Sequence, residues 1–355
     1  MTWLRNTFRY ELVDNRVLDA HIGWLTDAVA GGSITESWRG DYRVTGVVEL
    51  DAGADLPPGA AVRIWRDWEG ADGAGTEMLA TLYPDPAELV LLQGRRTGSI
   101  TLNSAMKRLG TDLVKSDTGV PTGAAVAYRF QQLVKNSGGT PWVYSSTKLH
   151  SARTSANRVW VAGKSVLSEC HEMAGACGGR VEVDAYGRVC LVPYQQPASI
   201  AESWRLLPGE AECTLLPEWT DNAATIVNRV VASYEKDGKR YYAEAKVAAS
   251  HPWSFAHIGR WETVAASVGS IEEGASVQAV LDALVASRLK ELSDSRRVFS
   301  AQMLYRPEVR VGTVGTVSYI DSADGARQEP VRVFVSEREV ELMPAMRTRV
   351  TLEEV

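Results

Sequence analysis

The chain of 355 residues carries 38 Lys and Arg against 44 Asp and Glu, a formal net charge of −6. An acidic balance argues against a protein that coats nucleic acid, which needs a net basic surface to displace counterions. Hydrophobic residues at 45% and charged residues at 23% argue against chain-wide disorder, and aliphatic runs such as Leu89 to Leu92 fall far short of the ~20 residues that span a bilayer. The length allows two or three domains at ~100–200 residues each. The start, Met1-Thr2-Trp3-Leu4-Arg5-Asn6, has no signal-peptide core. A soluble chain made in a cytoplasm, with no membrane insertion, is the expectation.

The first hundred residues read as β structure. Arg43 to Leu50 and Ala61 to Arg66 are short runs rich in β-branched and aromatic residues, bounded by Gly40-Asp41, Leu56-Pro57-Pro58-Gly59 and Glu69 to Gly73. Further runs lie at Ser33 to Gly40, Glu77 to Tyr83 and Glu88 to Leu92. Strands at such short spacing predict a small barrel or sandwich.

The pattern then changes. Ser116 to Thr122 reads as a polar join, and a helix fits Gly123 to Asn136, with Thr122 as N-cap and Gly138-Gly139 as its stop. Val126, Phe130, Leu133 and Val134 form its apolar stripe. Arg158 to Val161 is a short strand, and a second helix is expected from about Ser165 to Cys177, stopped by Gly178-Gly179. Arg180 to Val183 and Arg188 to Val192 flank Asp184-Ala185-Tyr186-Gly187, which predicts a hairpin. Pro193 to Pro197 reads as the exit linker.

β signals return from residue 201. Ala224 to Tyr234 and Arg240 to Ala248 alternate and are joined by Glu235-Lys236-Asp237-Gly238-Lys239, a hairpin signal. An irregular piece follows at His251 to Arg260. The helix expected at about Ser276 to Leu292 has a core stripe of Val277, Val280, Leu281, Leu284, Val285, Leu289 and Leu292. Runs at Val298 to Tyr305, Val309 to Tyr319, Val331 to Arg338 and Met346 to Leu352 close the chain as strands.

Motifs for chemistry are missing. The sequence holds no phosphate-binding loop and no dinucleotide fingerprint, and Ala30-Gly31-Gly32 reads as a turn. Cys170 and Cys177 share a helix face, Cys190 falls in a strand run and Cys213 in a loop, with no zinc spacing among them. Buried free thiols are the expectation. His251 and His257 flank a Pro-Trp loop without a third ligand nearby. No Ser elbow and no favoured carboxylate pair stand out. Arg95-Arg96 and Arg296-Arg297 are isolated pairs that read as solvated faces. No catalytic, cofactor-binding or metal-binding residue is therefore assigned, and no enzymatic activity is expected.

Tryptophan is over-represented, 11 against 5 Phe. A large ring with one N–H donor suits half-buried positions and subunit contacts. Core filling accounts for many of them; a sharper reading places some of Trp3, Trp24, Trp38, Trp204 and Trp219 at contacts between subunits, and a third has exposed rings stacking on sugars.

The order of these modules resembles the tail hub or baseplate hub proteins of tailed bacteriophages, which have relatives in contractile injection systems. Gly163 to Val189, a helix followed by a Gly-bounded hairpin, is similar to one stretch of that family. Ala224 to Tyr234, with Asn228-Arg229-Val230, resembles the strand that opens its second barrel, and Ser250-His251-Pro252-Trp253-Ser254, the long helix and the strands after Pro307 keep the family's order. Val311-Gly312-Thr313-Val314-Gly315 departs from the Gly-Asp step often found there.

The resemblance implies an α+β, mainly β fold: two tail-tube-like β-barrel domains, an α/β domain and a helix-containing insertion. The first barrel would span 1–100. The α/β domain would span 101–203, with helices at about 123–136 and 165–177 and the hairpin at 180–192. The second barrel would comprise 204–240 and 294–355, interrupted by the insertion 241–293. It further implies a structural virion protein, made in the bacterial host and placed in the phage tail. Three copies would form a pseudo-sixfold ring between a tail tube or distal tail protein above and a tip or spike below. Viral DNA would pass through without specific binding, a transit that an acidic lumen would favour. From a different class, a virion-borne or secreted carbohydrate-binding or carbohydrate-cleaving protein would also suit strand richness and many Trp.

Overall fold

Apolar and polar residues alternate along the N-terminal runs, and in the computed structural model these runs form strands with one face buried. The structure describes residues 5–15, 20–25, 29–50, 56–70, 73–85, 90–92, 95–154, 158–206, 213–216, 227–236, 238–251, 253–266, 268, 276–293, 298–318 and 330–355. The chain is mainly β and divides into two compact units, 1–217 with 300–353 and 218–299.

The first unit opens with β1 (Arg5–Asp14), β2 (His21–Trp24), β3 (Val29–Ser37), β4 (Val44–Leu50), β5 (Ala60–Gly70), β6 (Gly73–Pro84), β7 (Val90–Leu92) and β8 (Arg95–Asn103). On β4, Gly46, Val48 and Leu50 are buried while Val47 and Glu49 are exposed, the period of two that a half-buried strand demands. Ile34, Val62, Ile64, Leu82, Ile100 and Leu102 complete this core. Ala30-Gly31-Gly32 is not a turn. It lies within β3, where the register against β4 shifts between Val29 and Gly31. An added Cβ on Gly32 would overlap the Val47 carbonyl, so glycine is there for the close approach of two strands.

The next stretch holds α1 (Ala105–Thr111), β9 (Thr118–Val120), α2 (Val126–Asn136), β10 (Pro141–Val143), α3 (Thr147–Ser151), β11 (Arg158–Trp160), α4 (Val166–Ala176), β12 (Gly179–Val183) and β13 (Val189–Pro193). The join expected at 116–122 therefore contains a strand. Helix α2 begins three residues later than the sequence suggests, with Ala125 and not Thr122 at its N-cap position. The hairpin of β12 and β13 forms as expected, with Gly187 in the left-handed region at φ 77°.

This stretch is internally duplicated. Helices α2 and α4 have 11 residues each, and their surroundings correspond at a constant offset of 40 positions (Val126 to Val166, Gly123 to Gly163, Gly138 to Gly178). All four of those glycines have positive φ, at 80°, 83°, 76° and 62°. The hydrogen bonds are exchanged between the halves. Val126 N–H donates to the Ala152 carbonyl and Val166 N–H to the Asp112 carbonyl, while Gly123 N–H reaches Thr154 and Gly163 N–H reaches Val114. Bridges Leu113–Ser165 and Ala125–Arg153 are equivalent in the same way. Strands β9 and β11 pair antiparallel about Gly119 and Val159, as a local twofold axis requires. Each half supplies the carbonyl that satisfies a free N–H at the other half's helix start. One core holds both halves, including Phe130, Leu133, Leu149, Cys170, Met173 and Leu191.

After a short 3-10 turn at Pro197–Ser199 come β14 (Glu202–Leu206) and β15 (Cys213–Leu216). Cys213 thus stands in a strand, not a loop. The second unit then supplies β16 (Arg229–Lys236), β17 (Lys239–Lys246), α5 (Phe255–Ile258), β18 (Thr263–Ala265) and α6 (Val277–Ser293). Strands β16 and β17 form one hairpin, β18 pairs parallel with β16, and Leu281, Val285 and Leu289 of α6 pack with Val230, Ala232 and Ala243. A boundary at 240/241 would cut this hairpin. Moreover, the run read as opening a second barrel pairs within this separate three-stranded sheet, and its residues 224–226 lie outside the described residues. The α6 stripe is narrower than expected, since Val280 is exposed. Asn228 is fully buried and completely bonded: its Nδ2 donates to the carbonyls of Trp253 and Arg260, and its Oδ1 accepts from Glu262 N–H.

The chain ends with β19 (Val298–Leu304), β20 (Val314–Val317), β21 (Val331–Glu341) and β22 (Arg347–Glu354). Of the strand expected at 309–319, residues 309–318 hold only β20, because Gly312 turns the chain with φ 89° against the Trp38 ring; Tyr319 lies outside the described residues. Hydrogen bonds connect a 14-stranded sheet whose main path runs β15-β19-β22-β21-β3-β4-β8-β6-β5-β1-β2, with β14 and β20 branching at β21. Its two parts repeat one strand order. The N-terminal part reads β1-β5-β6-β8-β4-β3, and the C-terminal part reads β14-β20-β21-β22-β19-β15. Matched place by place, the strands also follow one another in the same chain order. The first pair differs in sense: β1 with β5 is antiparallel, β14 with β20 parallel.

Candidate functional site

Three places on the described residues could carry function: the titratable groups weighed in the sequence, the outermost strand of the large sheet, and a cavity lined with arginines. The first dissolves into structural roles. Burial pushes the thiols of Cys170 and Cys190 up to about 12 and raises Cys177, so all three stay protonated and poorly nucleophilic. His251 Nδ1 accepts from Trp253 N–H. Ser254 Oγ lies 2.8 Å from His257 Nδ1, yet the hydroxyl donates to the Ala249 carbonyl at 2.9 Å and is buried. Its proton is thus held by a backbone oxygen, which is no arrangement for a nucleophile. Among the described residues no three His, Cys, Asp or Glu side chains gather as a metal site.

The tryptophans separate into different environments. Trp204 is 4% exposed, donates to Thr313 Oγ1, and lies over Gly315, where an added Cβ would overlap its ring. It is a core residue. Trp38 meets the Phe334 ring edge-on and carries the Arg180 guanidinium 3.1 Å above its centroid. Trp24 is 50% exposed on β2, next to Ile22 at 48%. Trp3 and Trp219 lie outside the described residues. Trp142, which the sequence reading did not single out, is exposed, but Arg188 covers it at 4.3 Å and Tyr186 at 5.0 Å, so neither ring offers that face to a sugar.

Strand β2 ends the main sheet path, which leaves a backbone edge for pairing. A charged network holds it in place. Glu11 accepts from Trp65 Nε1 at 2.8 Å, contacts His21 Nδ1 at 3.0 Å and stands 3.5 Å from Arg63. Burial pushes the Glu11 carboxyl up, but those partners outweigh it and the net shift is downward. Behind it Arg9 binds Asp67 through Nε and Nη2 and lies 5.3 Å from the Trp24 ring. The hydrogen bond from Arg9 holds Asp67 below the usual carboxylate range, against burial and with help from Thr76.

The cavity has a volume of about 300 Å³ and lies within the first unit, between the 36–44 turn, β6, the β12–β13 hairpin and the 305–311 turn. Arg338 of β21 stands directly opposite Glu36 of β3, bonds it at 2.8 Å and donates to the Val309 carbonyl. This buried pair closes the junction of the two repeated parts. Arg43 adopts the left-handed backbone at φ 59°, and its buried Nε has no hydrogen bond. Burial lowers the Arg43 and Arg180 guanidinium pKa values, that of Arg180 to about 10, against the pull of Glu182 on both. No local pattern signals this convergence, since the four segments are distant along the chain.

The geometry has solved counterparts. A tail protein from Neisseria meningitidis MC58 superposes with a TM-score of 0.62 at 14% identity, covering 98% of this chain and 97% of its own. The 43 kDa tail protein of prophage MuSo2 from Shewanella oneidensis gives 0.55 at 12% identity, covering 97% and 98%. A chain of the Francisella PdpA-VgrG complex gives 0.57 at 9% identity, with 99% of this chain matching 53% of that one. No protein-family profile and no curated protein matches the sequence. At these identities the likeness is one of fold: over nearly its full length this chain has the fold of the two tail proteins. It shares that fold with part of the chain from the VgrG complex.

Proposed function

We propose that this protein is a structural subunit of a phage tail or related injection machine, acting as its hub. Three copies form a ring that joins a tube above to a tip or spike below and lets DNA pass. The observation that carries the reading is the repeated strand order. One chain that presents the same β arrangement twice gives six arrangements in a trimer, which matches a sixfold tube on one side and a threefold tip on the other. The full-length likeness in fold to two tail proteins supports the same reading.

Ring closure in this proposal uses the β2 edge, with Ile22 and Trp24 as apolar contacts. A large exposed ring at a strand edge is the kind of group that anchors an interface. Light scattering after size-exclusion chromatography, with negative-stain imaging of the protein mixed with its tube, tests this. The expected result is a particle of three chain masses with a central opening, lost in Trp24→Glu while the circular dichroism is kept. A chain that stays monomeric in the presence of the tube overturns the hub reading.

A further inference from the structure

We propose that the cavity bounded by Arg43, Arg180 and Arg310 is a receptor for a carboxylate, the acidic side chain of a docking polypeptide. The lining holds four arginines and four acids, but they are not evenly matched. Glu36 is taken by Arg338 and Glu182 by Arg180, while Glu77 and Asp184 are bound by Arg66 and Arg188. Among the described residues Arg43 and Arg310 form no ion pair, and Arg310 spends its Nε on the Pro307 carbonyl. Two cations are thus left over among lining residues whose acids are all taken; Asp41, outside the lining, pulls on Arg43 without forming an ion pair with it.

Their placement favours a carboxylate. Arginine presents a planar fork that matches the two oxygens of a carboxylate. Val44, Leu79, Val183 and Val311 line the same recess, so the methylene stem of a Glu would meet apolar wall and the charges would act in a medium less polar than water. The volume of about 300 Å³ accommodates one acidic side chain with its flanking peptide. Arg43 reaches this position from a backbone conformation that L side chains rarely adopt, and strain of that kind collects at binding sites. The proposal stands apart from ring formation, because it concerns a single chain.

His171 supplies a reporter. Burial lowers its pKa first, Arg43 and Arg180 lower it further, and Asp41 opposes them. An anion seated beside Arg43 cancels part of that positive field, so the imidazole pKa rises. The experiment follows the His171 ring resonances through pH titrations of the whole protein, alone and with a blocked Gly-Glu-Gly peptide, a blocked Gly-Gln-Gly peptide, succinate or inorganic phosphate. The variant Arg43→Gly removes the cation while relieving the left-handed backbone, so its melting temperature is expected to be no lower than that of the parent. Arg240→Ala, in the second unit, is the control.

Saturable binding of the Glu peptide with an upward His171 shift, absent for the Gln peptide and for Arg43→Gly but kept in Arg240→Ala, is the expected result. An equal response in Arg43→Gly, or none to the Glu peptide, overturns the proposal. Phosphate binding as tightly as the Glu peptide overturns the carboxylate assignment. Succinate that saturates the site at concentrations where the Glu peptide does not bind overturns the polypeptide source.

Discussion

The two repeated parts of the large sheet differ most at one connection. Between β3 and β4 the N-terminal part has the turn at residues 38–43. At the matching place, between β15 and β19, the C-terminal part carries the whole second unit. The strand order on either side is the same in both. A sheet therefore tolerates a large insertion where its two flanking strands are already neighbours, because loop-closure entropy grows only slowly with loop length. The second difference is the sense of the first pair, antiparallel for β1 with β5 and parallel for β14 with β20. Order is thus shared more strictly than direction. Buried arginines lie both at the seam, where Arg338 bonds Glu36, and within the N-terminal part, where Arg66 bonds Asn6 and Glu77.

The largest effect is expected at the seam. Arg338→Ala leaves Glu36 with no partner opposite it in the ladder; truncating one member of a fully buried pair costs about 3–5 kcal/mol, an upper bound here because Glu36 is partly exposed. Urea unfolding should show this loss, and Glu36→Gln combined with Arg338→Met should recover much of it. Next come paired glycines, one from each part. Gly315→Ala drives a methyl into the buried Trp204 ring, whereas the methyl of Gly46→Ala meets Leu82 at 2.9 Å and the Ser33 carbonyl at 3.1 Å, a milder overlap. Overpacking of the first kind costs about 1–3 kcal/mol, and thermal melts should rank Gly315→Ala well below Gly46→Ala.

A smaller effect separates the parts by pH. Glu11 and Asp67 on β1 and β5 have depressed pKa values. Their stabilisation is therefore present above the ordinary carboxylate pKa near ~4 and is lost as pH falls through the lower folded values. Amide exchange in the β1–β5 ladder should accelerate below about pH 4. The counterpart strand β14 carries Glu202, also depressed, first by its hydrogen bond from Arg205, but at the surface. Its ladder should respond less, and salt should erase that response. The smallest effect is expected from replacing the second unit with a turn like that at 38–43: the near-ultraviolet dichroism of Trp204 and Trp38 in the first unit should persist. Its collapse would show that the insertion is needed for folding of the C-terminal part.

Much of this was readable along the chain. The turn at Gly238, the Gly178 helix stop and the alternation on β4 each express a preference that a few neighbouring residues fix. What stayed hidden is instructive. The duplication around α2 and α4 leaves almost no trace in residue type, since Phe130 corresponds to Cys170 and Tyr128 to Ser168. Glycines dominate what recurs, Gly123 with Gly163 and Gly138 with Gly178 at positive φ, because backbone geometry constrains them where packing lets most volumes trade. The expectation of a strand across 309–319 failed at Gly312, which turns the chain where the Trp38 ring leaves no room for a Cβ. No local pattern records that ring.

By itself, then, the sequence determined the mainly β character, the helices and their stops, and the absence of recognisable catalytic motifs, all of which follow from local periodicity and residue chemistry. Tertiary structure alone decided which strands become neighbours, and so the repeated order of the two sheet parts and the Arg338–Glu36 seam. It also decided that hairpin 229–246 belongs with α6, and that Arg43, Arg180 and Arg310 share one recess. The reason is physical: hydrogen-bonded ladders and buried charges join residues hundreds of positions apart, and the free energy that selects among such pairings lies in contacts no window of sequence contains.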